Sequence, residues 1–518
     1  MSEFFEDLIF DTAKRSPEKE ALVYRQERID YGSLASRVAG FSGLLLRNGV
    51  KKQDRVAIFL EKRVETVVAM FGSTASGAVM VPINPVLKAE QVFHILRDCN
   101  VRFLVTSQAR LKSLLPGLDA CNDLDGVVLL PDESQDGLSQ RVIPWNTDTP
   151  DEPHRVINTD MAAILYTSGS TGRPKGVVLS HANLVTGAKS VAQYLEITDK
   201  DRILSVLPLS FDYGLNQLTT AFLKGATAVL INHLFAQDVI QEMEREGITG
   251  LAAVPPLWIQ LAQARWPEAD RLKVRYFTNS GGAMPRATLE ALRKLMPDAK
   301  PYLMYGLTEA FRSTYLHPSE VDRRPDSMGK AIPNAEIMVV REDGQLCEPG
   351  EPGELVHRGA LVSLGYWNDT AKTAERFKPA PRRVDGLPLV EMAVWSGDTV
   401  RMDDEGFLYF VGRRDEMIKT SGYRVSPTEV EEAVYATGLV SEVVAAGLPH
   451  PTLGQQIAIA IIGKVGCPSR EEIQAACRQS LPEFMVPTVV IPFEGTSFPR
   501  NPNGKIDRKA VFLEVSKC

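Results

Sequence analysis

The chain reads as an α/β protein: a large N-terminal domain of sheets built from βα units with a small β-rich subdomain, then a smaller α+β C-terminal domain. Three observations predict this. Short apolar runs alternate with helical patterns through the first three hundred residues, from about Met328 the texture turns to short strands with Gly/Pro turns, and after Arg413 a new helix-start signal opens a fresh unit. The 518 residues exceed what one core holds, and domain sizes divide them into about three or four units.

In chain order the apolar runs are 55–60, 78–83, 102–106, 126–130, 163–166, 203–207, 227–231, 250–254, 274–279 and 302–305. Between them, segments such as 64–76 and 288–296 space their apolar residues near 3.6. That alternation gives mostly parallel sheets covered by helices, with ligands at the carboxyl ends of the strands. The β-rich region offers 336–340, 353–357, 399–402 and 406–411 as short strands. Beyond it, Ser426-Pro427-Thr428-Glu429 is a capping box with Pro at the first helical position, followed by Val430, Ala433 and Val434 on one face and Gly438 as the stop. Residues 497–509, broken by Pro499, Pro502 and Gly504, read as an ordered loop.

Composition narrows the classes. Apolar residues at 44 % and charged residues at 24 % are ordinary for a globular protein. The formal charge of -7, with only short basic clusters such as Lys51-Lys52 and Arg323-Arg324, excludes a nucleic-acid groove and leaves a small anionic substrate held by local charges. Cys99, Cys121, Cys347, Cys467, Cys477 and Cys518 form no C-x-x-C pair, which fits reduced thiols and a cytoplasmic location. The acidic start Met1-Ser2-Glu3-Phe4-Phe5-Glu6-Asp7 lacks the form of a secretory signal, and no apolar run has the length of a transmembrane segment.

The most telling stretch is Tyr166-Thr167-Ser168-Gly169-Ser170-Thr171-Gly172-Arg173-Pro174-Lys175-Gly176, a strand breaking into a loop of hydroxyls and glycines. Three glycines let backbone N–H groups crowd a polyanion, the hydroxyls add donors and Lys175 adds a fixed charge, so the loop suits a nucleoside triphosphate. It is not the P-loop of kinases. Gly169 and Gly172 are too close, Pro174 precedes Lys175, and Gly176 stands where a magnesium-binding Ser/Thr belongs.

This loop resembles the signature loop of the AMP-forming adenylating superfamily, which includes acyl-CoA synthetases, firefly luciferase and the adenylation domains of peptide synthetases. Further motifs follow in the same order: Gly281-Gly282-Ala283, Tyr305-Gly306-Leu307-Thr308-Glu309, Gly353-Glu354-Leu355 with Gly365-Tyr366, Ser396-Gly397-Asp398, Gly412-Arg413-Arg414-Asp415, and Pro502-Asn503-Gly504-Lys505-Ile506-Asp507-Arg508. The resemblance implies an AMP-binding domain over 1–413 and a mobile C-terminal domain over 414–518 carrying the catalytic lysine.

It also implies roles. Thr167, Ser168, Gly169, Ser170, Thr171, Gly172 and Lys175 would cradle the phosphates of ATP, with Thr308 on the α-phosphate and Glu309 as ligand of Mg2+. Gly281, Gly282 and Ala283 would form the adenine turn, joined by Tyr305 and Gly306, while Asp398 and Arg413 would hold the ribose. Leu303 stands where relatives often carry Asn or Gln. Lys505 would bridge the carboxylate and the α-phosphate during adenylation. Asp415 matches the hinge, and Ser421, Gly422 and Tyr423 the opening of a phosphopantetheine tunnel.

By the same resemblance Phe211-Asp212-Tyr213-Gly214 falls where acyl-CoA synthetases place the wall of the acyl pocket, with Trp258, Pro256, Phe277 and Gly282 as further pocket candidates. A buried carboxylate there is costly unless paired. Asp212 therefore either recognises an amine or other polar group of the substrate or is structural, and both readings stand. Arg312 either meets a second substrate carboxylate or pairs at the surface or with a neighbouring acid. The expected activity is an acid–thiol ligase that adenylates a small carboxylic acid and passes the acyl group to the phosphopantetheine thiol of coenzyme A or a separate acyl carrier protein. A stand-alone amino-acid-activating enzyme serving a separate peptidyl carrier protein and a luciferase-like oxygenase are the alternatives.

Overall fold

The computed structural model describes residues 2–515 except 132, 134–140, 168–173, 382–385, 387, 414–415, 421–422, 451–453, 465, 482 and 503; for 419, 423, 424, 454, 484 and 515 only the backbone is described. Its larger sheet contains a run of neighbouring parallel strands: Glu20–Tyr24, Thr227–Leu230, Arg202–Ser205, Gly250–Ala253, Tyr276–Asn279 and Lys300–Tyr305. Thr227–Leu230, Gly250–Ala253 and Tyr276–Asn279 are buried at every residue, as strands covered on both faces must be. A second sheet is built around Arg55–Phe59, Val79–Pro82, Val101–Thr106 and Gly126–Leu129, all parallel, and is completed by the hairpin Met161–Thr167/Lys175–Ser180. Helices Tyr31–Arg47, Val64–Ala75 and His181–Tyr194 bury apolar faces against these sheets.

The β-rich region is not a sheet apart. Thr314–Leu316 pairs antiparallel with Lys300–Tyr305, Ser327–Ala331 pairs with Thr314–Leu316, and the path continues through Leu408–Arg413, Met392–Met402, Pro352–Gly359 and Ala335–Val340. Spacing of turns signals strands but not their partners, so this continuity was invisible in the sequence. The opposite edge is closed by Glu27–Asp30, which returns along Glu20–Tyr24 through a turn with Arg25 at φ 57; its polar residues gave no strand signal.

C-terminal to Ile418, the strands Ile418–Thr420, Tyr423–Val425, Val440–His450, Gly454–Gly463 and Val489–Pro492 form a five-stranded sheet with a core of its own around Val430, Val434, Ile459 and Ile473. Ser426 Oγ accepts from Glu429 N at the start of the helix Pro427–Ala436, and Gly438 follows with φ 72, as the capping signal requires. The expected loop over 497–509 is shorter than read: Arg500 and Ile506 form a bridge, and the helix Arg508–Val515 begins inside it. The described cysteines are free thiols, and among the described residues no helix is long and apolar enough to cross a membrane.

Candidate active site

Four neighbouring strands of the larger sheet deliver their loops to one rim, the place where parallel sheets bind ligands. Arg202–Ser205 leads to the helix Asp212–Lys224, Gly250–Ala253 to Val254, Tyr276–Asn279 to Gly281 and Gly282, and Lys300–Tyr305 to the short turn Thr308–Ala310. The turn bearing Lys505 arrives at this rim from the C-terminal sheet. Asn501 closes it, its Oδ1 accepting from Lys505 N at 3.0 Å and its N–H donating to Lys505 O at 2.7 Å, while Asn84 Nδ2 donates to Pro502 O at 2.7 Å from the other side. The Lys505 ammonium lies within electrostatic reach of Asp212, Asp398 and Glu309. Burial and the Arg413 charge outweigh these carboxylates and hold its pKa below the usual lysine range.

Gly281 has φ +81, and a Cβ there would stand 3.1 Å from Lys505 Cε. Gly281→Ala is therefore strained in its backbone and crowds the lysine at once. Displacement of the lysine predicts a loss of about tenfold or more in acid-dependent ATP–pyrophosphate exchange, and backbone strain on the order of 1–3 kcal/mol lowers the melting temperature as well.

Asp398 sits opposite Arg413 in the ladder between Met392–Met402 and Leu408–Arg413, which explains their pairing. Arg413 Nε is 3.3 Å from Asp398 Oδ1, and Tyr305 Oη donates to Asp398 Oδ2 at 2.5 Å. Burial nonetheless raises the Asp398 pKa. A carboxylate offers about four lone-pair sites, so two remain for a diol.

Glu309 is oriented by Tyr366, whose hydroxyl donates to Glu309 Oε1 at 2.5 Å. Tyr366 pairs with Val177 along the strand that Lys175 begins, and the Lys175 ammonium lies 5.6 Å from the Tyr366 ring. One tyrosine thus ties Lys175 to Glu309. Among the described residues no group of three or more His, Cys, Asp or Glu could hold a metal. Magnesium at Glu309 would take a single carboxylate and its remaining oxygens from phosphates and water, a donor set that suits this ion.

Asp212, 3 % exposed, accepts from Thr308 Oγ1 at 3.1 Å through Oδ1, and its Oδ2 is 3.9 Å from Arg312 Nη1. Burial raises the Asp212 pKa despite the cation. Arg312 is itself buried, lying over the Tyr213 ring with its Nε and Nη2 atoms unbonded among the described residues. It reaches this position through a tight turn at Phe311, with φ 57 and ψ -51 and Arg312 N donating to Ala310 O at 2.6 Å. A bulky residue at positive φ is strained. The buried Phe311 ring holds it there, packed against Gly187 so closely that a Cβ at 187 would stand 2.4 Å away.

Ser313, the next residue, shares a hydrogen bond of 2.9 Å with Nδ1 of the buried His357, whose pKa burial pushes down to about 3. A base with a depressed folded pKa contributes stability above its unfolded pKa, roughly 6.5, which is lost as pH falls toward 3. Unfolding free energy of the wild type should therefore fall, relative to His357→Asn, by about 1.4 kcal/mol per pH unit between pH 6 and 4. Urea titrations of both proteins across that range measure it.

Of the residues singled out from sequence, Lys175, Asp212, Gly281, Tyr305, Thr308, Glu309, Asp398, Arg413 and Lys505 gather around this rim. Ser168 to Gly172, Asp415, Ser421 and Gly422 lie outside the described residues, Thr167 pairs with Lys175 at the mouth of the hairpin, and Tyr423 opens a strand. Gly282 O accepts from Asn279 Nδ2 at 2.9 Å. The Trp258 indole is fully enclosed against Phe277 and donates to both Ala253 O and Thr278 O. Arg312 pairs with a neighbouring acid, one of the two arrangements its sequence position allows, but in the interior rather than at the surface. Tyr366 is a site residue that sequence reasoning misses, although its Gly-Tyr motif is visible.

Comparison with known proteins agrees with this geometry. The AMP-binding enzyme family matches residues 9–367, and the AMP-binding enzyme C-terminal domain matches residues 429–505. A linear gramicidin synthase of Brevibacillus parabrevis is 30% identical over 96% of the chain, and the anguibactin system regulator of Vibrio anguillarum 29% identical over 98%. The chain spans only 6% and 47% of those relatives' lengths. Among solved structures, an anthranilate CoA ligase in complex with anthranoyl-AMP superimposes with a TM-score of 0.89 at 23% identity, covering 99% of this chain and 97% of that one. The o-succinylbenzoate CoA synthetase of Bacillus subtilis, in complex with its acyl-adenylate intermediate, gives 0.82 at 26% identity, covering 97% of each chain. With the match running through the hairpin, the Thr308-Glu309 turn and the Lys505 turn, the chain belongs to the AMP-binding enzyme family.

Proposed function

We propose that this protein is an ATP-dependent, AMP-forming acid–thiol ligase, acting first on a small carboxylic acid and then on a phosphopantetheine thiol. The observation that carries the reading is Lys505, half-buried against Gly281 at the rim where Thr308, Glu309 and Asp398 meet. Attack of a carboxylate on the α-phosphorus brings anions together and builds charge on phosphate oxygens, so the reaction needs placed cations more than a base. Lys505 supplies one between the two reactants. Asp398 and Tyr305 accept and orient the ribose, Lys175 neutralises phosphate charge, and Glu309 holds magnesium, which when bound neutralises further phosphate charge. The acyl-adenylates in the two structural neighbours support this assignment.

Lys505 blocks the approach of a thiol while it occupies the rim, so the second half-reaction calls for its withdrawal. In this proposal 414–518 rotates at Asp415 and Ser421, Gly422 and Tyr423 meet the thiol, of coenzyme A or a carrier protein. Amino-acid activation is the second reading, favoured by Asp212 at the pocket and by the synthetase relatives. Against it, Asp212 already faces Arg312. ATP–pyrophosphate exchange over simple acids and amino acids, without any thiol, separates the two; absence of exchange with every acid overturns both.

A further inference from the structure

Behind the rim lies a small cavity of about 20 Å³, apolar where Val191, Leu195, Ile203 and Ala252 line it and polar along one helix. It is bounded on one side by the helix Asp212–Lys224, which turns Tyr213, Asn216, Gln217 and Thr220 toward it, and on the other by Thr278 and Met304. Met304 directly precedes Tyr305, and Thr278 lies three residues before Gly281, roughly 10 Å along an extended chain. The cavity therefore borders strands whose ends carry Gly281 and Tyr305 to the rim.

Most of its polar groups are already engaged. Tyr213 Oη and Thr278 Oγ1 are hydrogen-bonded at 2.5 Å, Thr220 Oγ1 donates to Asn216 O at 2.8 Å, and Asn216 Nδ2 donates to Thr219 Oγ1 at 3.3 Å. Gln217 is the exception. It is only 5 % exposed, and neither its Oε1 nor its Nε2 has a partner among the described residues. A buried amide with an idle donor and an idle acceptor is costly unless something in the cavity answers both. The volume admits one small group and no hydrocarbon chain.

We infer that this cavity is the distal end of the acyl pocket, and that Gln217 selects a compact carboxylic acid whose far end both donates and accepts hydrogen bonds, such as a hydroxyl or carboxamide. The inference rests on the adenylation reading above. A site built to hydrogen-bond a substrate group rejects the apolar isostere strongly, because its own polar atoms are then left unpaired.

The test is acid-dependent ATP–pyrophosphate exchange by the full chain on matched pairs: ω-hydroxypentanoate against hexanoate, and glutaramate against the acid in which an isopropyl group replaces the carboxamide. The wild type should favour the polar member of at least one pair by about a hundredfold or more in kcat/KM. Gln217→Leu should bring that ratio to within threefold of unity, with ATP affinity unchanged. Gln217→Glu, which keeps the acceptors, serves if the leucine variant fails to fold and should lower the ratio for the carboxamide pair. Preference of the wild type for alkyl acids, or an unchanged ratio in the variants, overturns this inference and leaves adenylation standing. Absence of exchange with every acid overturns the adenylation reading and this one with it.

Discussion

Lys505→Ala should lose about a hundredfold to a thousandfold in ATP–pyrophosphate exchange while converting a supplied acyl-adenylate to thioester at the wild-type rate. The magnitude is that of removing one placed donor from a site of developing negative charge, roughly 2.7–4 kcal/mol. The asymmetry follows from where the residue comes from: Lys505 belongs to a turn that reaches the rim from the C-terminal sheet and touches the N-terminal sheets through Asn84, Gly281 and Val254. Its side chain is not part of the core that supports Tyr305 and Asp398, so the nucleotide should still bind. An equal loss in both half-reactions would make Lys505 a structural residue and remove the main support for the proposed function.

The second large effect concerns Asp212 and Arg312. Asp212→Asn leaves a buried guanidinium without its acid, and Arg312→Met leaves a buried carboxyl without its cation; breaking a buried pair in this way costs about 3–5 kcal/mol of stability. The two variants should differ in pH dependence. Burial already raises the Asp212 pKa, and losing the Arg312 charge raises it further. An acid with a raised folded pKa contributes stability at low pH that is lost as pH rises through that value. The Arg312→Met deficit should therefore shrink on acidification from pH 8 to 5, whereas the Asp212→Asn deficit should not, because the guanidinium stays charged throughout. The double variant Asp212→Asn/Arg312→Met should lose much less than the sum of the two single losses. Denaturant unfolding of the four proteins measures the cycle, and strict additivity would mean the two side chains do not interact.

The strands that carry the rim were legible because covered parallel strands are short unbroken apolar runs: 250–254 and 302–305 became Gly250–Ala253 and Lys300–Tyr305 with little shift. Motif residues such as Thr308 and Asp398 were legible for a different reason, the resemblance of their ordered motifs to those of a known family; alone they read as a helix-start residue and a turn former. What the sequence hid is lateral. Nothing in the order of residues says that Thr314–Leu316 joins the β-rich strands to the parallel sheet, that Tyr366 bonds Glu309 across 57 positions, or that Trp258 turns inward to two carbonyls. The role of Asp212 was evenly balanced in sequence because burial and pairing decide it, and both are tertiary.

The Phe311 turn fixes what a redesign of the pocket must respect. Arg312 is aimed by a backbone conformation at Phe311 that a bulky side chain does not favour, and the Phe311 ring that enforces it is seated on a helix more than a hundred residues upstream in the chain. Gly187 and Phe311 therefore act as socket and peg. A library that varies Arg312 or Tyr213 to admit new acids should hold this couple constant, or exchange both partners in one step with their combined volume conserved, since enlarging Gly187 alone would push on the peg and swing Glu309 and Arg312 together.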